Sequence, residues 1–267
     1  MNRNSRSHSD RRRRPQARIP TLPDTLRLNR DHLRLSRVAA YKRHGVAPSY
    51  LRQLEVGERV PSPETLDKLI TGYGLSHGQA RHIRELRYPA EDLTPTDKLR
   101  QSVHENVALR NHIQDLEGRG VLAAYVDPMW NVLLATTEFR AGMPGLEESE
   151  CIPIWLFSPI AKTVVIDWER EAAHSVATIK AVLGRYRDSE QAHHLLRKLR
   201  PNNAFHDLWL SSCNVAYGRA ASDPVHWIHP SSGEPTSYSL TVADVTQPQH
   251  IQLITALRKP YSGPRPR

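Results

Sequence analysis

Cysteine is nearly absent: Cys151 and Cys213 are the only two in 267 residues. Standing far apart, they form neither a disulfide framework nor a CxxC metal or redox pair, and two lone thiols fit a reducing, cytoplasmic setting. Long apolar runs are missing too. No stretch approaches the roughly 18–20 residues of a membrane span, and the N-terminus has no apolar h-region of a secretory signal, so no membrane partner is expected. Motifs that carry chemistry are equally lacking. There is no G-x-S-x-G elbow, no G-x-G-x-x-G after a strand, no Walker-type loop, no H-E-x-x-H and no C-x-x-C-H. The fourteen histidines do not supply a substitute: His226 and His229 stand three apart in a predicted strand, hence on opposite faces. His193 and His194 are helix neighbours without a carboxylate partner. The sequence therefore predicts no catalytic residue, no metal and no cofactor.

Charge, by contrast, is unevenly spread. Residues 1–90 hold 19 Lys and Arg against 8 Asp and Glu, and residues 91–267 hold 18 against 20. The whole basic excess of a chain with net charge +9 therefore sits in its first third. That asymmetry points to a polyanion-binding part joined to one that is not.

Composition shifts divide the chain. Residues 1–23 are Arg-, Ser- and Pro-rich and read as a disordered basic tail; Arg11–Arg14 either lie along phosphates or are simply solvated. Residues 24–88 read as five short helices. The most informative stretch runs from Gly45 to Gly57 (GVAPSYLRQLEVG). Gly45 can take the positive φ of a helix end, and Pro48 suits the first turn of the next helix. Leu51 and Leu54 face a core while Ser49, Arg52 and Gln53 project elsewhere. A helix that short with polar side chains at its start suits the major groove. Ser62 then caps a helix opened by Pro63, and Leu66, Leu69 and Ile70 recur until Gly72 and Gly74.

The segment LSRVAAYKRHGVAPSYLRQLEVGERVPSPETLDKLITGYGL resembles the XRE, or Cro/lambda-repressor-type, helix-turn-helix superfamily. The resemblance implies a five-helix lambda-repressor-like domain that reads double-stranded DNA with helix 47–55. Ser49, Arg52 and Gln53 are its groove-facing candidates, Gln53 matching adenine and Arg52 guanine or phosphate, and Tyr50 is a further DNA-contact candidate. Ser36, Arg37 and Arg59 are backbone-positioning candidates, and Glu55 reads as a structural partner for a neighbouring arginine. One departure is Ala40-Tyr41 where the superfamily has Leu-Ala; a tyrosine there implies a looser helix crossing.

Residues 89–98 (PAEDLTPTDK) form a polar, Pro-bearing linker. Leu99 to about Glu117 reads as one helix, either a partner helix for a dimer or a helix packed on the domain that follows. VLAAYV and NVLLAT flank the Asp-Pro turn as two strands. Val164, Val165, Trp168, Ala172, Val176 and Ile179 keep helical spacing. VHWIHP, TSYSLTVADV and HIQLITALR close the chain as three strands, and the alternation of Tyr238, Leu240 and Val242, and of Ile251, Leu253 and Thr255, predicts a sheet with one face buried. Residues 99–262 thus read as an antiparallel sheet with helices, and 263–267 as a short tail.

YVDPMWNVLLAT, PIWLFSP, VVIDWEREAAHSVATIK, FHDLWLSSCNVAYG and WIHPSSGEPTSYSLTV resemble the MmyB-like transcription-regulator ligand-binding domain, a PAS-like fold. The resemblance implies an α+β, two-domain regulator with a pocket for a small apolar, fatty-acid-like molecule. Trp130, Phe139, Trp155, Phe157, Trp168 and Trp209 are its candidate walls in a chain with only 6% aromatics; large rings with one polar edge suit such walls. Lys180 stands where arginine is common. A homodimeric, ligand-responsive DNA binder is the leading expectation, and a partner-regulated adaptor that no longer reads DNA is the alternative.

Overall fold

Thr21 starts the first helix by accepting a hydrogen bond from the Asp24 amide, and the same device recurs along the chain. The structure is a computed structural model describing residues 16–220, 222–229 and 232–264. Five helices build the first unit: α1 (Leu22–His32), α2 (Arg37–His44), α3 (Pro48–Glu55), α4 (Pro63–Tyr73) and α5 (His77–Leu86). Ser36 and Ser62 cap α2 and α4, and Ser76 forms a reciprocal capping box with Gln79 on α5. Gly45, at φ 68°, ends α2 in the left-handed region, which a residue with a Cβ adopts only at a cost. Their apolar sides meet in one core, with Leu26, Ala40, Leu51, Leu54, Leu66, Leu69 and Ile83 essentially inaccessible. Each such leucine contributes about 2 kcal/mol by leaving water.

Three expectations for this part are corrected. Tyr41 does not widen the helix crossing, because it points outward and is 49% exposed while Ala40 occupies the buried contact. The first helix begins at Leu22 rather than Asp24. The stretch before it is not a free tail as far as Gln16: Ala17 is fully buried in the core of the larger domain and Ile19 packs on that core. Burial of Ala17 and packing of the partly buried Ile19 tie the segment down despite its basic neighbours. Arg11–Arg14 lie outside the described residues.

The second unit is a five-stranded sheet with helices. Strands β1 (Leu122–Val126), β2 (Val132–Ala135), β3 (Val225–Ile228), β4 (Pro235–Asp244) and β5 (Gln252–Lys259) run in the order β2-β1-β5-β4-β3, antiparallel throughout. The turn between β1 and β2 is built by Asp127, whose carboxylate accepts from the amides of Met129 (2.8 Å) and Asn131 (2.9 Å). One face carries α8 (Thr137–Gly142), α9 (Ile152–Leu156), α10 (Ala161–Val164), α11 (Trp168–Arg185), α12 (Glu190–Leu199) and α13 (Asn203–Ser211). The other carries α6 (Thr96–Glu105) and α7 (Val107–Glu117).

That last pair revises two more expectations. The helix expected from Leu99 to Glu117 breaks at Asn106, which leaves helical geometry (ψ 104°) and caps α7 through its side chain. Leu99, Val103 and Ile113 then pack on Ala123, Tyr125, Leu133 and Ile251. The sheet is consequently buried on both faces at β1 and β5: Ile251 and Leu253 meet α6 and α7, while Ile254 and Ala256 face the main core. Val165 also leaves the long helix, forming a bridge to Trp227, so α11 begins at Trp168.

The two units pack closely. Gly78 on α5 approaches so near that a Cβ there would stand 2.3 Å from the Val215 carbonyl oxygen, and one on Gly184 of α11 would stand 2.4 Å from His82. The Gln79 side chain donates to the Cys213 carbonyl (3.1 Å), and the Tyr217 hydroxyl donates to Glu85. The Arg81 guanidinium lies over the Tyr217 ring, 3.8 Å from its centre. The loop joining α13 to β3 thus docks on the last helix of the first unit. No helix among the described residues is long and apolar enough to cross a membrane.

Candidate functional site

On α3 the apolar side holds Leu51 and Leu54 in the core, which leaves Ser49 and Arg52 exposed. Gln53 is half-buried, and Tyr50 is half-buried with its ring against the helical core. No side chain caps the start of α3. Arg52 pairs with Glu58 at 3.3 Å, both side chains half-exposed; such a surface pair contributes little and is readily given up to another anion. Arg59 is exposed just beyond, and Ser36 is engaged by its cap to the Ala39 amide.

Arg37 is committed inward. Its Nε donates to Glu55 at 2.8 Å, and Arg30 grips the same carboxylate with two hydrogen bonds at 2.6 and 2.9 Å. The Glu55 side chain is wholly buried. Burial pushes its pKa up, but the hydrogen bonds from Arg30 and Arg37 outweigh that and hold the carboxyl below the usual range. This triad fastens α3 to α1 and α2 and so sets the angle at which Ser49 and Arg52 are presented. His44 helps: its Nδ1 accepts from the Val46 amide at 3.0 Å and closes the turn between α2 and α3.

In the larger unit a cavity of about 540 Å3 opens between the sheet and α11, within the size range of small-molecule sites. Trp130, Phe139 and Trp155 line it, joined by Met143, Trp227, Leu240 and Ile254. Phe157 and Trp168 do not line it. They belong to a packed aromatic cluster, Phe157 edge-on to Trp168 (5.8 Å) and to Phe205 (5.4 Å). Trp209 continues that cluster and instead lines a smaller cavity, about 370 Å3, between the two units. There Lys180 donates to the Trp209 and Ser212 carbonyls and so ties α13 to α11. Burial lowers its pKa to about 8.

The polar lining of the large cavity is Glu171, His174, Ser175 and Thr178 of α11, Tyr217 and Arg219 from the docking loop, and Thr241, Asp244 and Gln252 of β4 and β5. Burial, aided by Arg219 and Arg170, lowers the His174 pKa to about 4, so the ring is uncharged at neutral pH. The α11 and loop residues escaped the sequence reading because the loop has no periodicity, and α11 shows an apolar spacing that its polar positions merely interrupt. Among the described residues no group of three or more His, Cys, Asp or Glu is placed to hold a metal. His226 is paired with Ser237 at 2.9 Å, and His229 lies just past the end of β3.

A helix-turn-helix with an exposed leading edge, docked on a sheet domain that encloses a cavity, defines a ligand-modulated DNA-binding transcription regulator. Residues 109–263 match the MmyB-like transcription regulator ligand binding domain, and residues 22–83 match a helix-turn-helix domain. The chain belongs to the MmyB-like family of transcription regulators. No curated protein matches the chain.

Proposed function

We propose that α3 enters the major groove of double-stranded DNA with Ser49, Arg52 and Gln53 at the base edges, while Tyr50, Ser36 and Arg59 contact the backbone. Arg37 contributes by orienting α3 through Glu55. The observation that carries this reading is the exposure of Ser49 and Arg52 on a helix whose other side is buried. The protein acts as a homodimer whose two readers address half-sites about 34 Å apart, or a multiple of that. A small apolar ligand, fatty-acid-like in its chain, occupies the cavity lined by Trp130, Phe139 and Trp155. The loop that carries Tyr217 and Arg219 both walls the cavity and meets α5. Ligand that prefers one placement of this loop therefore biases one placement of the reader.

Electrophoretic shift assays on the protein's own promoter region test the reading. Arg52→Ala and Gln53→Ala are each expected to reduce discrimination between operator and altered sites by about 1–3 kcal/mol, roughly 5- to 150-fold. Wild-type affinity should fall steeply with added salt. Unchanged sequence preference in both variants would remove these side chains from direct readout.

A further inference from the structure

We propose that the cavity takes a ligand whose polar end is uncharged, an alcohol, ester or lactone on an apolar chain, held by the His174 imidazole and the Ser175 hydroxyl. The inference rests on the reading of this cavity as the ligand site. One polar side is a face of α11, where Glu171, His174, Ser175 and Thr178 follow helical spacing; at the sheet end Gln252 donates to Asp244 at 2.9 Å.

Two cations stand at that side, and both are already engaged. Arg170 places Nε on Asp167 at 3.1 Å, Nη1 on Asp223, and Nη2 on Glu171 and the Pro224 carbonyl, each at 2.8 Å. Arg219, 9% exposed, places Nη1 on Asp223 at 3.0 Å and Nη2 on Glu171. Three carboxylates therefore surround two guanidinium groups, and Glu171 is itself buried. A ligand carboxylate would lose its water there without a free cation in return. An ammonium at that side finds Asp167, Asp223 and Glu171 all bonded to arginine already.

The groups left to bind on α11 are neutral. Thr178 spends its hydroxyl on the Ser175 carbonyl. The His174 ring and the Ser175 hydroxyl have no hydrogen-bond partner among the described residues. An uncharged imidazole offers one donor and one acceptor, which is what a hydroxyl or a carbonyl end group requires. The opposite walls, Trp130, Trp155 and Trp227 among them, suit the chain.

Four probes of equal chain length decide the matter on the full-length wild-type protein at pH 7.5: 1-decanol, methyl decanoate, decanoate and decylammonium. Binding is read by quenching of tryptophan fluorescence and by calorimetry. The alcohol and the ester are expected to bind at least tenfold tighter than either ion, and His174→Leu is expected to shrink the alcohol-over-acid preference several-fold. Equal or tighter binding of decanoate or decylammonium would overturn the uncharged-head assignment while leaving the cavity as the ligand site. Absence of binding by all four would remove the cavity itself from that role. The wild-type ladder stands even if the variant fails to fold.

Discussion

Glu55→Ala is expected to unfold the reading domain at temperatures where the wild type is folded. The carboxylate is wholly buried and holds two arginines, one of them only 9% exposed. Removing one member of such a network leaves a buried positive charge without its anion, which typically costs about 3–5 kcal/mol. Whole domains have stabilities of about 5–15 kcal/mol, so the loss is a large share of the total. Chemical denaturation followed by circular dichroism measures it. The effect carries a pH signature. Because the Glu55 carboxyl is held below its usual pKa, its contribution is complete above the unfolded-state value. It is lost as pH falls through the folded-state value. The gap between wild type and variant should therefore be full at neutral pH and narrow under acid conditions. A variant as stable as the wild type at pH 7 would mean that the triad does not hold α3 in place. Glu55→Gln should recover part of the loss, since it keeps the shape and one acceptor.

Gly78→Val should separate the two units without unfolding either. The position lies outside the helical core, and the added Cβ would meet a backbone oxygen at 2.3 Å, a clash that no side-chain rotation relieves. Overpacking of this kind costs about 1–3 kcal/mol, and here it is relieved by moving α5 away from the loop that carries Tyr217. Limited proteolysis between α5 and α6 should accelerate, and thermal unfolding should resolve into two steps. DNA binding by the isolated reader should persist, while any response to a cavity ligand should disappear. Gly118→Ala is the control, for a Cβ there meets nothing nearer than 3.5 Å. If Gly78→Val retains the ligand response, coupling runs by another route.

Much was legible in the sequence because it is local. Ser36, Ser62 and Pro63 announce helix starts, Gly45 and Gly74 announce ends, and Leu51 with Leu54 orients α3; these depend on residues a few positions apart. The Asp127 turn and the antiparallel strands were readable for the same reason. The errors arose where a distant partner decides. Asn106 breaks a helix whose apolar spacing runs straight through it. Ala17 is buried by a domain far along the chain from it. Tyr41 has the size to hold two helices apart, but its direction, set by packing, points it into solvent.

The candidate cavity divides in the same way. Aromatic residue types marked the region, yet residue type cannot separate Trp155, on the cavity, from Trp168, in the packed cluster beside it. His174 and Arg219 carried no signal at all, because their surroundings are assembled from α11 and a loop more than forty residues away. By itself the chain determined its elements, its two units and the sign of the partner of the first, through short-range backbone chemistry and net charge. Tertiary structure alone decided which rings enclose space, which arginines are already neutralised and how the reader is seated. Those properties belong to surfaces in contact, and contact between surfaces is not encoded at any single position.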